Sequence, residues 1–427
     1  MSSVHPRSRR TKIAVALAML VMTAAAMVLP TGADAAPRGQ GRGAVADTVR
    51  FATFNASLNR NAEGQLIADL STPGNTQAQV IAEIVQRNRP DVLLVNEFDF
   101  DAGGVALDLF HDNYLGVAQH PDVEPIDYPH RMAFPSNTGI PSGFDLNRDG
   151  AVGGPDDAFG FGFFPGQFAF VVYSRYPILE ERVRTFQHFR WADMPGALLP
   201  SDPATADEGD WYSDEILEVF RLSSKNHVDV PVRIGRDVVH VLASHPTPPA
   251  FDGPERRNVL RNHDEIRFWA DYISPGRRSA YIYDDDGVTG GLRPGARFVI
   301  AGDLNSDPCD GDSVPGAIQQ VLDHPLVADE PIPDSEGAVE QTLLQGAINL
   351  LHCNPPEHDT ADFSESVGNL RVDYVLPRTG MRVTDSGVFW PTSDSPLFDR
   401  LVGVFPFPSS DHKLVHVDVR LPVGGPR

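Results

Sequence analysis

Short apolar runs of strand length alternate with helical stripes along most of the chain, and this alternation limits the fold more than any other feature. Strand-like runs cover residues 49–55, 92–95, 168–174, 228–234, 238–244, 298–301, 372–376 and 414–419. Between the first two, Val80, Ile81, Ile84 and Val85 form a helical stripe over residues 76–87, with Asn75 or Thr76 as cap and Pro90 as stop. Residues 254–273 form a second helical stretch. No repeat with a period of about 20–50 residues is present, so the pattern predicts a layered α/β or α+β domain and not a solenoid.

Loops must be long in such a frame, because 37 Gly and 37 Pro are spread without a triplet period. Residues 99–165, rich in Asp, Gly and Pro, read as an insertion. No composition shift divides the remainder, so residues 48–422 are expected to form one domain, with 423–427 as a tail.

The N-terminal residues read as an export signal. Arg7, Arg9, Arg10 and Lys12 precede an apolar run over 13–30, and Ala33-Asp34-Ala35 offers a small-residue cleavage site. Residues 1–35 are therefore predicted to be a signal peptide and 36–47 a Gly/Arg/Ala-rich linker, giving a secreted protein without a stable membrane span after processing. Adjacent Arg9 and Arg10 leave the twin-arginine route open beside the general one. Net charge is -23, from 35 basic and 58 acidic residues, and loss of the signal makes it more negative. Such a field opposes non-specific capture of polyanions. Two cysteines, Cys309 and Cys353, are too few for a disulfide scaffold or a cysteine zinc site, but oxidising surroundings favour one bridge between them.

Several strand-like runs end in polar residues of one kind. Asn55 follows the first, Glu97 the second, and Asp303-Leu304-Asn305 the run at 298–301. On extended backbone Asp303 and Asn305 would project to the same side. Oxygen donors of this type suit Mg²⁺, Mn²⁺ or Ca²⁺, which points to a metal-dependent phosphoesterase. Ser409-Ser410-Asp411-His412 adds a carboxylate and an imidazole before the last strand, and Asp373 is a candidate to orient the His412 ring.

Taken in order, Asn55, Glu97, His245, Asp303/Asn305, Asp373 and Asp411/His412 resemble the endonuclease/exonuclease/phosphatase superfamily, the deoxyribonuclease-I-like fold, from about residue 49 to 421. The resemblance implies an α+β fold, a four-layer α/β/β/α sandwich of two mixed β-sheets with a metal site at one end. It implies Mg²⁺ or Mn²⁺ held by Glu97 with Asn55 and Asp411, and an Asp303/Asn305 pair that orients or activates water. His412 corresponds to the general base or phosphate-stabilising histidine, Asp373 to its orienting partner, and His245 to a contact on the phosphate. Asn96 stands where the family often has Gln. Arg221 and Lys225 are the nearest basic candidates for gripping phosphate, in a segment that reads as a solvated loop.

Within the insertion, Asp145, Asn147, Asp149, Ala151 and Asp156 fall at positions 1, 3, 5, 7 and 12 of a calcium-type loop, with Gly150 at position 6. Structural Ca²⁺ is expected there, in a dockerin-type or isolated loop. Asp284-Asp285-Asp286 lacks ligand spacing and reads as a solvated acidic turn.

The expected function is an exported, divalent-metal-dependent phosphoesterase acting on phosphate mono- or diesters by in-line attack of water, as a monomer. Small-molecule substrates rank above nucleic acid on charge, with an extracellular DNA or RNA nuclease as the alternative. Phospholipid headgroups come third, through the aromatic loop at residues 159–164. A non-catalytic calcium-dependent binding protein is the alternative from another class.

Overall fold

A computed structural model describes residues 48–421. The expected signal peptide, linker and tail lie outside the described residues. Among those described, no helix is long and apolar enough to cross a membrane.

The chain forms two mixed sheets. The first contains β1 (Thr48–Leu58), β2 (Val92–Phe98), β3 (His130–Phe134), β4 (Phe170–Ser174), β12 (Arg382–Val388) and β13 (Val415–Arg420), in the order β12-β13-β1-β2-β4-β3. The second contains β5 (Arg184–Thr185), β6 (His227–Ile234), β7 (Asp237–Ser244), β8 (Arg297–Asp303) and β11 (Asp373–Pro377), in the order β11-β8-β7-β6-β5. Short β9 (Ala361–Asp362) and β10 (Asn369–Leu370) pair separately. In each sheet one parallel pair, β1/β2 or β7/β8, lies among antiparallel neighbours.

Strand periodicity shows why the sheets stack. Along β8, Val299 and Ala301 join one core with Phe54, Val95 and Val171 of the first sheet. The alternate residues Phe298 and Ile300 face a second core with Ile266, Trp269 and Tyr272 of the helix Arg257–Ile273. On the other side, Ile81, Ile84 and Val85 of the helix Thr76–Asn88 pack on the first sheet. That helix starts where Asn75 Oδ1 accepts from the Ala78 backbone N–H at 2.9 Å. Helix, sheet, sheet and helix thus form four layers, the expected α+β sandwich. Central strands read as continuous apolar runs because both of their faces are covered.

Three features of the sequence read differently in three dimensions. The insertion at 99–165 is not all loop: it contributes β3, which pairs with β4. The edge strand β12 was not legible, since its residues are mostly polar and only Val388 is buried. Asp284 is buried against Arg184 at 2.6 Å, so the acidic turn is anchored on one side and not fully solvated.

Candidate active site

The inner-face series 299, 301 in β8 continues to Asp303, and its antiparallel partner in register is Asp373, the first residue of β11. Both carboxylates therefore turn into the space between the sheets. Close approach of β8 to β7 depends on Gly302, with φ 151°; a Cβ there would lie 2.0 Å from the Ser244 carbonyl oxygen. His245 follows Ser244 directly, so the parallel β7/β8 pair brings His245 and Asp303 to the same end of the sheet.

From the first sheet, Asn55 Nδ2 donates to Glu97 Oε1 at 3.1 Å and to Asp303 Oδ2 at 3.0 Å. Asp303 Oδ2 also lies 3.3 Å from His245 Nε2 and 3.7 Å from His412 Nε2. His412 Nδ1 is 2.8 Å from Asp373 Oδ2, which accepts from Thr360 Oγ1 at the same distance. Asp303, Asp373 and His412 present ligand atoms within 4.8 Å of one another, all buried. Asn96 Oδ1 accepts from Thr53 Oγ1 at 3.2 Å.

Asn305 reaches the site by a different route from that expected. β8 ends at Asp303, and Asn305 adopts φ 52°, so simple alternation does not continue. Its backbone N–H donates to Asp303 Oδ1 at 2.9 Å, and its side chain donates to the Pro246 carbonyl at 3.1 Å. Asp411 lies on the same pocket wall and accepts from Ser410 Oγ at 3.3 Å.

Of these groups, Glu97, His245, Asp303, Asn305, Asp411 and His412 line a pocket of about 630 Å³ with Ser57, Lys225 and a set of aromatic residues. Among the described residues, nine non-glycine residues have positive φ, and Ser57, Glu97, Phe168, Phe251 and Asn305 among them all line this pocket. Strained backbone of this kind persists only where the surroundings fix it, and it concentrates at working sites.

The electrostatics follow from burial and crowding. Burial opposes charge on His412, yet Asp373 and Asp303 outweigh it and hold the imidazole well above its usual range. His245 is driven well below that range by burial, with the Lys225 and His412 charges adding to the effect. Its Nδ1 is buried without a hydrogen-bond partner, as is Asp373 Oδ1. Burial raises Asp303 to about 7, against the pull of His412, and raises Glu97. A wall carrying Glu97, Asp303 and Asp411, with Asp373 joined to it through His412 and unpartnered atoms on His245 and Asp373, has the chemistry of a divalent-cation site.

Lys225 corrects the expectation of a solvated loop. It is 6% exposed, lines the pocket, and is lowered by burial against the attraction of Glu265, Glu97 and Asp303. Arg221 points elsewhere, donating to Asn137 Oδ1 and covering the Phe159 ring. Thr360 and Ser57 gave no sequence signal, because only tertiary pairing brings them to Asp373 and to Ser410.

In the calcium-type loop, Asp145, Asn147 and Asp149 fold onto one turn, where their side chains accept backbone N–H groups of Asp149, Gly150 and Ala151. Asp156 is not brought to them: it lies 3.6 Å from Arg257 and lines the pocket. Asp157 closes the turn instead, accepting from the Leu146 and Gly153 N–H groups at 2.6 and 2.8 Å. Cys309 and Cys353 form the expected disulfide, with Cα atoms 5.9 Å apart. Phe159 and Phe164 of the aromatic loop are buried, while Phe161 and Phe163 are exposed.

Two face-to-face mixed sheets with a buried carboxylate–imidazole cluster at their strand ends define a hydrolase of phosphoester bonds. The chain belongs to the Endonuclease/Exonuclease/phosphatase family, which it matches over residues 52–412. No curated protein matches it in sequence. Among solved structures it is similar to an endonuclease/exonuclease/phosphatase from Beutenbergia cavernae, at 19% identity and a TM-score of 0.46, covering 88% of this chain and 72% of that one. It is also similar to sphingomyelinase C from Streptomyces griseocarneus, at 14% identity and a TM-score of 0.41, covering 87% and 99%. A mannosyl-6-phosphatase from Bacteroides thetaiotaomicron aligns at 12% identity and a TM-score of 0.40, again covering 87% and 99%.

Proposed function

We propose that the chain is an exported, divalent-metal-dependent phosphoesterase that hydrolyses small phosphate mono- or diesters by in-line attack of water. The observation that carries this reading is the continuous set of contacts from Glu97 through Asn55 and Asp303 to His412 and Asp373, opening on one pocket. Glu97, Asn55 and Asp411 would hold Mg²⁺ or Mn²⁺, which when bound supplies polarisation of the phosphoryl oxygen and stabilises the departing alkoxide.

The chain's own groups do the rest. Asp373 fixes the His412 ring and keeps it charged, so His412 Nε2–H serves as a donor to phosphate oxygens in preference to a base. Asp303, ionised above about pH 7, is placed to take the proton of the attacking water. Neutral His245 holds Asp303 from the other side, and buried Lys225 adds positive charge to a wall otherwise rich in carboxylates. Water oxygen bonds to phosphorus as the ester oxygen leaves, with no covalent enzyme intermediate.

Mature protein would be incubated with Mg²⁺, Mn²⁺ or Ca²⁺ and a phosphomonoester, a phosphodiester or plasmid DNA, with EDTA and Glu97→Ala controls. Metal-dependent ester hydrolysis lost in Glu97→Ala is the expected result. Plasmid cleavage without ester hydrolysis would replace it by the nuclease reading, and silence in every arm would overturn both. Export is checked by the N-terminus of secreted protein, expected at Ala36.

A further inference from the structure

Part of the pocket wall takes no share in the phosphate chemistry proposed above. Tyr212 and Phe220 lie there as a near-stacked pair, ring centroids 4.8 Å apart, both buried. Leu146 and Ala158, from the insertion, are buried beside the same space. Phe161 and Phe251 line it while remaining open to solvent, Phe251 at 89% exposure. Arg257 adds a polar group: its Nε is buried without a hydrogen-bond partner, 3.6 Å from Glu255 Oε1.

Phe251 is unfavourable twice over. Its backbone sits at φ 58°, where a bulky L-residue is strained, and its ring lies almost wholly in water. Neither the fold nor the phosphate site gains from this arrangement. A ligand that covers the ring would relieve the second cost.

We infer that the substrate is a soluble phosphate ester whose alcohol portion carries an aromatic ring, which packs on the Tyr212/Phe220 wall and is capped by Phe251. This rests on the hydrolase reading of the polar wall and names its substrate class. A pocket of about 630 Å³ holds a molecule of that kind with phosphate at the carboxylate–imidazole cluster. Aromatic walls favour offset or edge contacts with a ring. A phosphate ester of a small alkyl alcohol would leave this wall wet.

The test reads binding without turnover. Phenylphosphonate and methylphosphonate, whose P–C bonds resist hydrolysis, are titrated into the mature protein with Mg²⁺ by calorimetry. Phenylphosphonate is expected to bind at least about tenfold more tightly, the effect of burying one ring. In Phe251→Ala and Phe251→Gly that preference is expected to fall several-fold, while Phe251→Gly holds or raises the melting temperature because glycine accepts the positive φ. Equal affinities in the unsubstituted protein, or a preference unmoved in both variants, would overturn the inference. A third arm sediments the protein with phosphatidylglycerol vesicles: sedimentation lost in Phe251→Gly with the preference unmoved would make the rim a lipid contact and reject the aromatic-ester reading. Ring preference without hydrolysis of any phenyl ester would sink the hydrolase proposal alone, so the two failures are distinguishable.

Discussion

Asn55 Nδ2 donates to Asp303 Oδ2 at 3.0 Å, joining the first sheet to the second at the floor of the pocket. The same amide donates to Glu97, so one side chain aligns a candidate metal carboxylate with a candidate base. Asn55→Ala leaves both carboxylates short of a donor and their mutual repulsion without relief. A loss of about 1–3 kcal/mol in stability is expected, with turnover reduced about 10²-fold, measured by denaturant unfolding and steady-state kinetics. Asn55→Asp should be worse for stability in EDTA than in Mg²⁺, because it adds a third carboxylate that only a cation offsets.

The His412–Asp373 contact sets the charge of the ring. His412→Ala is expected to lower kcat by about 10²-fold or more, with ground-state binding changed far less. Asp373→Asn keeps the shape but removes the strongest of the three carboxylates, Asp373, Asp303 and Asp411, that raise His412. The ring then loses its proton at lower pH, so the alkaline limb of the pH–rate profile should move down. An unshifted limb in Asp373→Asn would exclude His412 as the group that titrates there.

Much of this site was legible because strand ends and short motifs mark it. Asp303, Asp373, His245 and His412 each adjoin a run of apolar residues whose period is plain, and the structure brings all of them together. What was not legible depends on contacts distant in sequence. Lys225 reads as a loop lysine until the site covers it, and Asn305 arrives through a left-handed turn that no alternation rule foresees. Asp156 fits calcium-loop spacing, yet the Pro155–Asp157 turn carries it toward Arg257. The aromatic wall draws on residues from the insertion, from 212–220 and from the segment after β7, which no local pattern connects.

Asp359 gives a pH-linked prediction away from the site. Burial, with Asp307, Asp310 and Glu357 adding like charge, raises its pKa to about 8. The folded state therefore holds a proton that the unfolded chain releases near the ordinary value of 3.8. This group favours folding at low pH, and that contribution is lost as pH rises through the window up to about 8. Asp359→Asn should raise the melting temperature at pH 9, by about 2 °C or more, and change it little at pH 4. A gain equal at both pH values would show that the carboxyl is not protonated in the folded state.

Gly302 ties the frame to the chemistry most tightly. It lies between Ala301, in the inter-sheet core, and Asp303, and its bare Cα lets β8 lie against Ser244 at the end of β7. Gly302→Ala forces a Cβ toward the Ser244 carbonyl at a φ that L-residues rarely adopt, so the two strands must part. Parting them moves Asp303 from His245 and from Asn55 together, because His245 follows Ser244 and Asn55 is fixed in the other sheet. Stability should fall by roughly 2 kcal/mol or more. Activity should fall by about 10²-fold even at temperatures where the variant remains folded, since displacements near 1 Å are enough to cost that much. Circular dichroism and kinetics on the same sample separate the two effects: a folded variant with full activity would show that the β7/β8 approach does not set the position of Asp303.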